Sequence, residues 1–298
     1  ISVKMDQMKA IHDRSWAMHS GSAGAIAQGG GDDQVDWEEF LRYHLNLWVS
    51  KSAGYVSMKS WQDCADAECL KDFQLGVECF GGLDLAESID MNAFALLLPH
   101  AEEIQEENEL GEKEILIRVT YKCAVWYWVC EDAAKASVRT NFNYNNMISH
   151  SLEITPGPTA DQSIILRRIV DISKKVKIVE CGYDPYNAAW IAPLLKEKHN
   201  IEMTKVRQGM LTLSEPTKGL RNLILRGEFT HPNNAVLNWN IRNARVIKDR
   251  VKNEMLGKDQ STGKIDGVAA IINALRCASD SPLINRKSIY EDRGIEVW

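Results

Sequence analysis

The sequence lacks several features that would by themselves define a functional class. No apolar run in its 298 residues approaches the ~20 residues of a helical membrane span, so we expect no membrane partner. The seven cysteines form no C-x-x-C pair and the seven histidines are scattered, which argues against a zinc site. Most of the cysteines lie in apolar surroundings, as is typical of reduced core thiols in a cytosolic protein.

A phosphate-binding loop is missing as well. The segment that starts at Gly257 comes near the pattern, but five residues separate Gly257 from Gly263, and Ile265 stands where Ser or Thr is required. We therefore expect no ATP site of that type in this chain. The chain starts at Ile1 without a signal peptide, which is typical of a piece of a longer protein.

Charge is distributed unevenly along the chain, although the formal net charge is only −6. Residues 1–160 carry 12 Lys and Arg against 25 Asp and Glu, whereas residues 161–266 carry 19 against 12. A basic segment in an acidic chain indicates a face that meets an anion. The alternative is an ordinary solvated surface of Lys and Arg.

Hydrophobic periodicity predicts an α/β fold. Residues 78–85, 92–99 and 114–128 read as three consecutive antiparallel strands, and strands then alternate with amphipathic helices. This order predicts a mixed β-sheet, three antiparallel strands followed by parallel ones, with helices on both faces. We expect an exposed acidic loop over 102–114, a helix capped by Ser214, and a hairpin within 244–264 that turns near residues 251–253.

Three aspartates stand where the predicted elements could hold them for chemistry. Asp84 falls inside a buried strand, where a lone carboxylate is costly unless it is paired or bound to a metal. Asp184 ends a later strand and is kept extended by Pro185. Asp266 opens an apolar helix, and the poor helix former Gly267 beside it indicates close approach of a strand or a ligand.

Each aspartate also has a purely structural interpretation. Asp84 could cap a turn at the end of its strand, Asp184 could cap a helix that starts near residue 187, and an acid such as Asp266 is favoured in a first helical turn by the helix dipole. Taken together, three acids in one α/β domain suit Mg²⁺, which needs few carboxylates because it keeps several waters. Asp90, six residues beyond Asp84, is a fourth candidate ligand.

Several motifs in order resemble the nuclease half of tailed-phage large terminase subunits. The motifs are Gly82-Leu-Asp-Leu, Tyr183-Asp-Pro and Lys264-Ile-Asp-Gly-Val, and the similarity runs from about residue 36 to about residue 278. Each motif is weak alone, but the ordered set is specific. The matching flanks include Phe40-Leu-Arg-Tyr-His-Leu-Asn-Leu-Trp48, Val206-Arg-Gln-Gly209, Leu213-Ser-Glu-Pro216, His231-Pro-Asn-Asn234 and Asn243-Ala244.

This resemblance implies an RNase H-like, two-metal endonuclease that cuts double-stranded DNA during genome packaging in the host cytoplasm. It implies Mg²⁺ or Mn²⁺ as cofactor, and a motor ATPase domain, a small terminase subunit and a portal as partners of the full protein. The chain then divides into a helical segment leading from the ATPase domain (1–70), the nuclease domain (71–279) and a tail (280–298). The tail either docks a partner or is mobile.

The resemblance also implies the role of each acid. Asp84 would bridge two metal ions, Asp184 would hold the ion that activates water, and Asp266 would hold the ion beside the leaving 3′ oxygen. The ions assigned to Asp184 and Asp266 could be exchanged. Asp90 matches an accessory acid that only some members have.

The basic hairpin is the predicted DNA contact, since Lys and Arg position a duplex through its phosphates. His231 precedes Pro232, and for this histidine a position in a turn is favoured over a role as proton shuttle. Two alternatives remain open: another RNase H-like nuclease of the resolvase type, and a docking module that holds DNA or the portal without cutting. The predicted DNA-binding residues are Lys258, Arg245, Lys248, Arg250 and Lys252.

Overall fold

Three consecutive strands follow a short first helix, and helices alternate with short strands after them. The structure, a computed structural model, describes residues 54–86, 89–107, 113–138, 143–147, 151–261 and 263–281. Its strands are β1 (Glu78–Asp84), β2 (Asn92–Glu107), β3 (Lys113–Cys130), β4 (Leu152–Thr155), β5 (Lys177–Tyr183), β6 (Glu202–Lys205), β7 (Phe229–Thr230), β8 (Val246–Lys248) and β9 (Glu254–Leu256). Its helices are α1 (Met58–Asp63), α2 (Glu131–Ser137), α3 (Gln162–Ser173), α4 (Ile191–His199), α5 (Met210–Leu225), α6 (Ala235–Asn243) and α7 (Asp266–Asp280).

The sheet has the mixed topology that the sequence predicts. Its strand order is β4–β3–β2–β1–β5–β6, and β7 pairs with β3. Strands β1, β2 and β3 are antiparallel neighbours, whereas β5 is parallel to β1 and β6 is parallel to β5. Strand β1 therefore lies at the centre of the sheet, and its last six residues are all buried, as is typical of a strand covered on both faces.

Helices cover both faces of the sheet, which confirms the predicted layers. One apolar cluster joins Phe80 of β1 to α1, α5, α6 and α7. The other joins Cys79 and Leu83 of the same strand to α3 and α4. Adjacent residues of β1 enter different clusters because successive side chains of a strand point to opposite faces.

The predicted acidic loop over 102–114 is wrong, because most of it continues the antiparallel ladder. Strand β2 runs to Glu107 and β3 begins at Lys113, with Ile104 opposite Leu116. Arg118 lies 3.6 Å from Glu102 across the pair. The β-branched and apolar residues in this stretch favour strands, and the side chains of Glu102, Glu103 and Lys113 are exposed to solvent, so a high charge density does not by itself make a loop.

Two smaller predictions have different outcomes. The hairpin is confirmed, since β8 and β9 pair antiparallel around a turn at residues 249–253. The cap at Ser214 is wrong, because α5 begins earlier, after Gly209. The Ser214 hydroxyl instead accepts a hydrogen bond from the backbone N–H of Glu254 at 3.1 Å, which ties α5 to the hairpin.

The described part of the predicted N-terminal segment packs onto the sheet domain. A compact unit begins at Gly54, and the Tyr55 hydroxyl donates to the Thr217 carbonyl at 2.6 Å. The Trp61 indole donates to Asn238 Oδ1 at 2.7 Å. Residues 1–53 and 282–298 lie outside the described residues, so the divisions at 70 and 279 stay predictions. No helix in the described ranges combines the length and the apolar character needed to span a bilayer.

Candidate functional site

Helix α7 crosses the centre of the sheet at a pair of glycines, and this crossing positions the site. Gly82 of β1 and Gly182 of β5 are neighbours in the parallel register. A Cβ at Gly82 would overlap the Ala270 carbonyl oxygen, and one at Gly182 would overlap the Asn273 carbonyl oxygen. The backbones of the helix and the two strands therefore touch, so the start of α7 is held close to the carboxyl ends of β1 and β5.

The first turn of α7 is fixed by a second close approach, at Gly267. Its N–H donates to Asn240 Oδ1 at 2.9 Å, and a Cβ there would overlap the Tyr127 hydroxyl of β3. This confirms the prediction that a close neighbour selects glycine at this position, and the neighbour is a strand residue. Asn240 Nδ2 also donates to the Lys264 carbonyl at 2.9 Å, so α6 orients the residues that lead into Asp266.

Asp84 ends β1 as a nearly inaccessible carboxylate, 2% exposed. Lys258 donates from Nζ to both of its oxygens, at 3.0 and 3.2 Å. Burial raises the pKa of Asp84, and the Lys258 charge opposes this shift. The negative charges of Asp184 and Asp90 raise the pKa further, which shows that both acids lie within electrostatic reach.

Asp266 opens α7 and is also buried, with 7% of its surface exposed. Its Oδ2 has no hydrogen-bond partner among the residues that the structure describes. Burial, and next the charge of Asp84, raise the pKa of Asp266 to about 7. A buried carboxylate oxygen without a donor carries a large desolvation cost, and a cation would offset that cost.

Asp184 follows the last residue of β5 and is half-buried. Its Oδ1 accepts a hydrogen bond from the Tyr186 N–H at 3.0 Å, so Asp184 caps the turn after β5. The predicted helix cap is wrong, because α4 begins only at Ile191 and has no side-chain cap. The carboxylate also lines a cavity of about 330 Å³ together with Lys258 and acts electrostatically on Asp84. A turn role and a ligand role are compatible, because a carboxylate has four lone-pair positions.

The elements that carry the three predicted acids meet as the sequence predicts. Within the described ranges, however, no three His, Cys, Asp or Glu side chains form a group that could hold a metal ion as they stand. The positive charge at this place comes from Lys258, which interacts with the charges of Asp84, Asp266 and Asp184. Burial lowers the pKa of Lys258, but these carboxylates outweigh it and the net shift is upward, although 57% of the side chain is exposed.

Asp90 lies at the rim of this site. Its side chain is 61% exposed and pairs with Lys264. It contributes negative charge at Asp84 and at Tyr144, whose pKa is raised to about 12, chiefly by burial. The structure thus places Asp90 near the other acids, on the solvent side.

The five predicted DNA-binding residues do not form one free basic surface. Lys258 is bound to Asp84, and Lys248 lies 3.3 Å from Glu254. The Arg245 side chain folds back and donates to the carbonyls of Arg242 and Ala244. Arg250 and Lys252 are exposed at the hairpin turn and have no carboxylate partner in the described part of the chain.

His231 lies away from the acids, in the core below α1. It is fully buried and stacks on Trp61 with ring centroids 3.7 Å apart. Its Nε2 lies 2.8 Å from the Trp61 carbonyl, and Nδ1 accepts from the Asn233 N–H at 3.2 Å. The preference for a turn role over a proton shuttle is consistent with this place in the fold.

Comparison with known proteins assigns this arrangement to a family. The family model described as "Terminase large subunit, endonuclease domain" matches residues 128–281, more than half of the chain. The chain belongs to this family. Its mixed sheet with helices on both faces is the RNase H-like fold of terminase nucleases.

Two relatives and one solved structure match most of this chain. Protein YmfN of Escherichia coli (strain K12) is 27% identical over 244 residues, 79% of this chain and 51% of that protein. The large terminase subunit of Enterobacteria phage HK97 is 22% identical over 246 residues, 80% of this chain and 44% of that protein. The crystal structure of the HK97 large terminase superposes with a TM-score of 0.59 at 19% identity, covering 92% of this chain and 51% of that one.

The chain thus spans about half the length of the curated relatives it matches. The structural match at this identity shows a shared fold. The terminase family assignment rests on the domain model, whose matched range includes Asp184, Asp266 and Lys258.

Sequence reasoning missed two residues of the terminase site. Tyr127 packs on Gly267 with its hydroxyl buried and without a hydrogen-bond partner among the described residues. Asn273 of α7 donates to the Leu83 carbonyl at 3.0 Å and so fixes the end of β1. The polar Asn273 among the mostly apolar residues that α7 buries was a usable signal, whereas Tyr127 in an aromatic strand was not.

Proposed function

We propose that this terminase nuclease domain hydrolyses phosphodiester bonds of double-stranded DNA with divalent metal ions held by Asp84, Asp184 and Asp266. The observation that carries the proposal is the buried Oδ2 of Asp266, which lacks a donor among the described residues and lies in the field of the buried Asp84. Oxygen ligands of this kind suit Mg²⁺ or Mn²⁺.

The chain's own residues supply a preorganised frame for this chemistry. Asp84 is fixed because β1 pairs with β2 and β5 on both sides, and Asp266 is fixed by the glycine contacts of α7. When bound, a pair of Mg²⁺ or Mn²⁺ ions would activate a water and neutralise charge on the attacked phosphate and the leaving oxygen. Arg250 and Lys252 at the exposed hairpin turn would position the duplex through its phosphates.

The biological setting is part of the same proposal. Because the match covers only about half of each curated relative, we infer that a motor ATPase domain belongs to the full protein. A small terminase subunit and a portal would then be its partners, and genome packaging in the host cytoplasm would be the process it serves. Cleavage would release genome-length DNA.

Cleavage of supercoiled plasmid by the chain tests the proposal. We expect nicking and linearisation that require Mn²⁺ or Mg²⁺ and stop with EDTA. Asp184→Asn should lower the rate by ~100-fold or more, the scale of losing one electrostatic contact to a transition state. Asp171→Asn is the matched control, because Asp171 lies on α3 and pairs only with the exposed Lys174 at 2.6 Å among the described residues.

The result that would contradict the proposal is metal-dependent cleavage that survives Asp184→Asn, or no cleavage by the unmodified chain. A parallel assay on branched and linear duplexes separates the two nuclease types. A strong preference for branched DNA would favour a resolvase-type enzyme over a terminase activity. Binding of duplex without cleavage would favour the docking module.

A further inference from the structure

Lys258 holds the carboxylate that a metal ion would need. Its Nζ lies 3.0 Å from one oxygen of Asp84 and 3.2 Å from the other, so the ammonium donates a hydrogen bond to each. Asp84 is otherwise 98% inaccessible, which makes this ammonium its counter-charge.

The neighbouring carboxylates also act on this ammonium. The charges of Asp266 and Asp184 add to that of Asp84 in stabilising the protonated lysine. The Lys258 ammonium therefore lies in the combined negative field of the three acids, which would also attract a divalent ion. An ammonium and a metal ion cannot occupy both Asp84 oxygens together, because their charges repel and the ligand oxygens are the same.

The segment that carries Lys258 has space beneath it. Lys258 begins a 3-10 turn that follows β9, and the turn lies over the cavity of about 330 Å³. One wall of the cavity is the hairpin side, with Ile247 and Leu256, and the other wall includes Ile272 of α7. The turn is anchored at both ends: the Gly257 N–H donates to the Arg245 carbonyl at 2.9 Å, and the Ser261 Oγ donates to the Gly257 carbonyl at 2.8 Å.

From these contacts we propose that Lys258 is a built-in cation that occupies the Asp84 carboxylate until a divalent ion displaces it. This inference rests on the proposed function, because it assigns the residue with which metal binding competes. Lys258 is thus a positioning residue: it keeps the buried acid paired while metal is absent, and its release is a condition for metal binding. Its predicted role as a phosphate contact would apply only after this release.

Titration calorimetry with Mn²⁺ on the full chain tests the exchange. Lys258→Gln removes the competing charge and should bind Mn²⁺ at least about tenfold more tightly than the unmodified chain, the factor that corresponds to one charged hydrogen bond. Lys258→Arg keeps a cation and should not show this gain. Lys264→Gln is the matched control, since Lys264 also lowers the pKa of Asp266 by its charge but pairs with the exposed Asp90.

A melting curve in EDTA gives a second readout that does not depend on activity. Lys258→Gln should melt at a lower temperature without metal, because Asp84 is then buried unpaired, and should regain the difference with Mn²⁺. Circular dichroism confirms that each variant is folded. The proposed exchange is wrong if Lys258→Gln and the unmodified chain bind Mn²⁺ equally tightly, or if Lys264→Gln gains as much Mn²⁺ affinity as Lys258→Gln. Either result would leave the proposed metal site itself intact. If neither binds Mn²⁺, the proposed function itself fails.

Discussion

His231 is buried with both ring nitrogens in use, and its environment admits only the neutral ring. Nε2–H donates to the Trp61 carbonyl, and Nδ1 accepts from the Asn233 N–H. Burial lowers the pKa of His231 below its ordinary 6.5, and the bond to Trp61 only partly opposes that. A proton on Nδ1 would place a second N–H donor against the Asn233 N–H in the core, with no acceptor between them.

Stability should therefore depend on pH through His231. In the window below pH 6.5 the unfolded chain binds a proton that the folded His231 resists, so the His231 contribution to the free energy of unfolding falls as the pH is lowered. The raised pKa of Asp266 contributes with the opposite sign, so the His231 part is obtained by comparing variants. Urea unfolding from about pH 8 to about pH 5 measures this dependence. His231→Gln should lose the His231 part of the slope, and His199→Gln, at an exposed position, should keep it. Identical slopes for His231→Gln and the unmodified chain would refute the assignment.

At the scale of single residues, spacing and chemistry pointed to the three acids as candidates but not to their partners. Asp84 falls inside a predicted strand, Asp184 ends one, and Asp266 opens a predicted helix. The pair between Lys258 and Asp84 joins residues 174 apart in sequence, and no local pattern links them. Lys258 therefore looked like one more basic residue near a hairpin.

At the scale of elements, the crossing of α7 over β1 depends on the absence of side chains. A Cβ at Gly82 would meet the Ala270 carbonyl oxygen and the backbone nitrogen and Cβ of Ala274. These are atoms of a buried helix, so they cannot rotate away as the end of a flexible side chain can. The strand and the helix can approach only if the glycine stays.

Gly82→Ala should destabilise the domain and weaken the site together. We expect a loss of about 1–3 kcal/mol in the free energy of unfolding, the usual cost of overpacking a core, and weaker Mn²⁺ binding because α7 carries Asp266. Gly219→Ala is the control: a Cβ there meets Leu275 at 3.6 Å, an ordinary contact inside a helix. It should gain about 0.5–1 kcal/mol. Urea unfolding compares them, and unchanged stability in Gly82→Ala would contradict the packing account.

The type of an element could be predicted where the hydrophobic periodicity was strong. The predicted boundaries were wrong where the local composition was misleading. The charged stretch 102–107 is part of β2 because its backbone pairs with β3, a contact that composition does not reveal. Ser214 resembles a helix cap, yet α5 begins four residues earlier, at Met210, and the hydroxyl binds Glu254. In both cases a tertiary contact decided what the local sequence left ambiguous.

At the scale of the whole molecule, the topology brings distant acids to one edge. Because β5 returns parallel to β1, Asp84 and Asp184 lie at the same ends of neighbouring strands, and α7 brings Asp266 to them from the end of the described chain. The mixed sheet could be predicted from the order of elements. The side-chain arrangement, with Lys258 among the acids, required the coordinates.

Anomalous diffraction from crystals soaked in Mn²⁺ tests the central claim most directly. We expect manganese within bonding distance of Asp84 and of at least one of Asp184 and Asp266, with Lys258 Nζ moved away from Asp84. Crystals of Lys258→Gln should fill the same position at lower Mn²⁺ concentration. Manganese bound elsewhere on the chain, with the three acids free and Lys258 still on Asp84, would contradict both the metal site and the exchange.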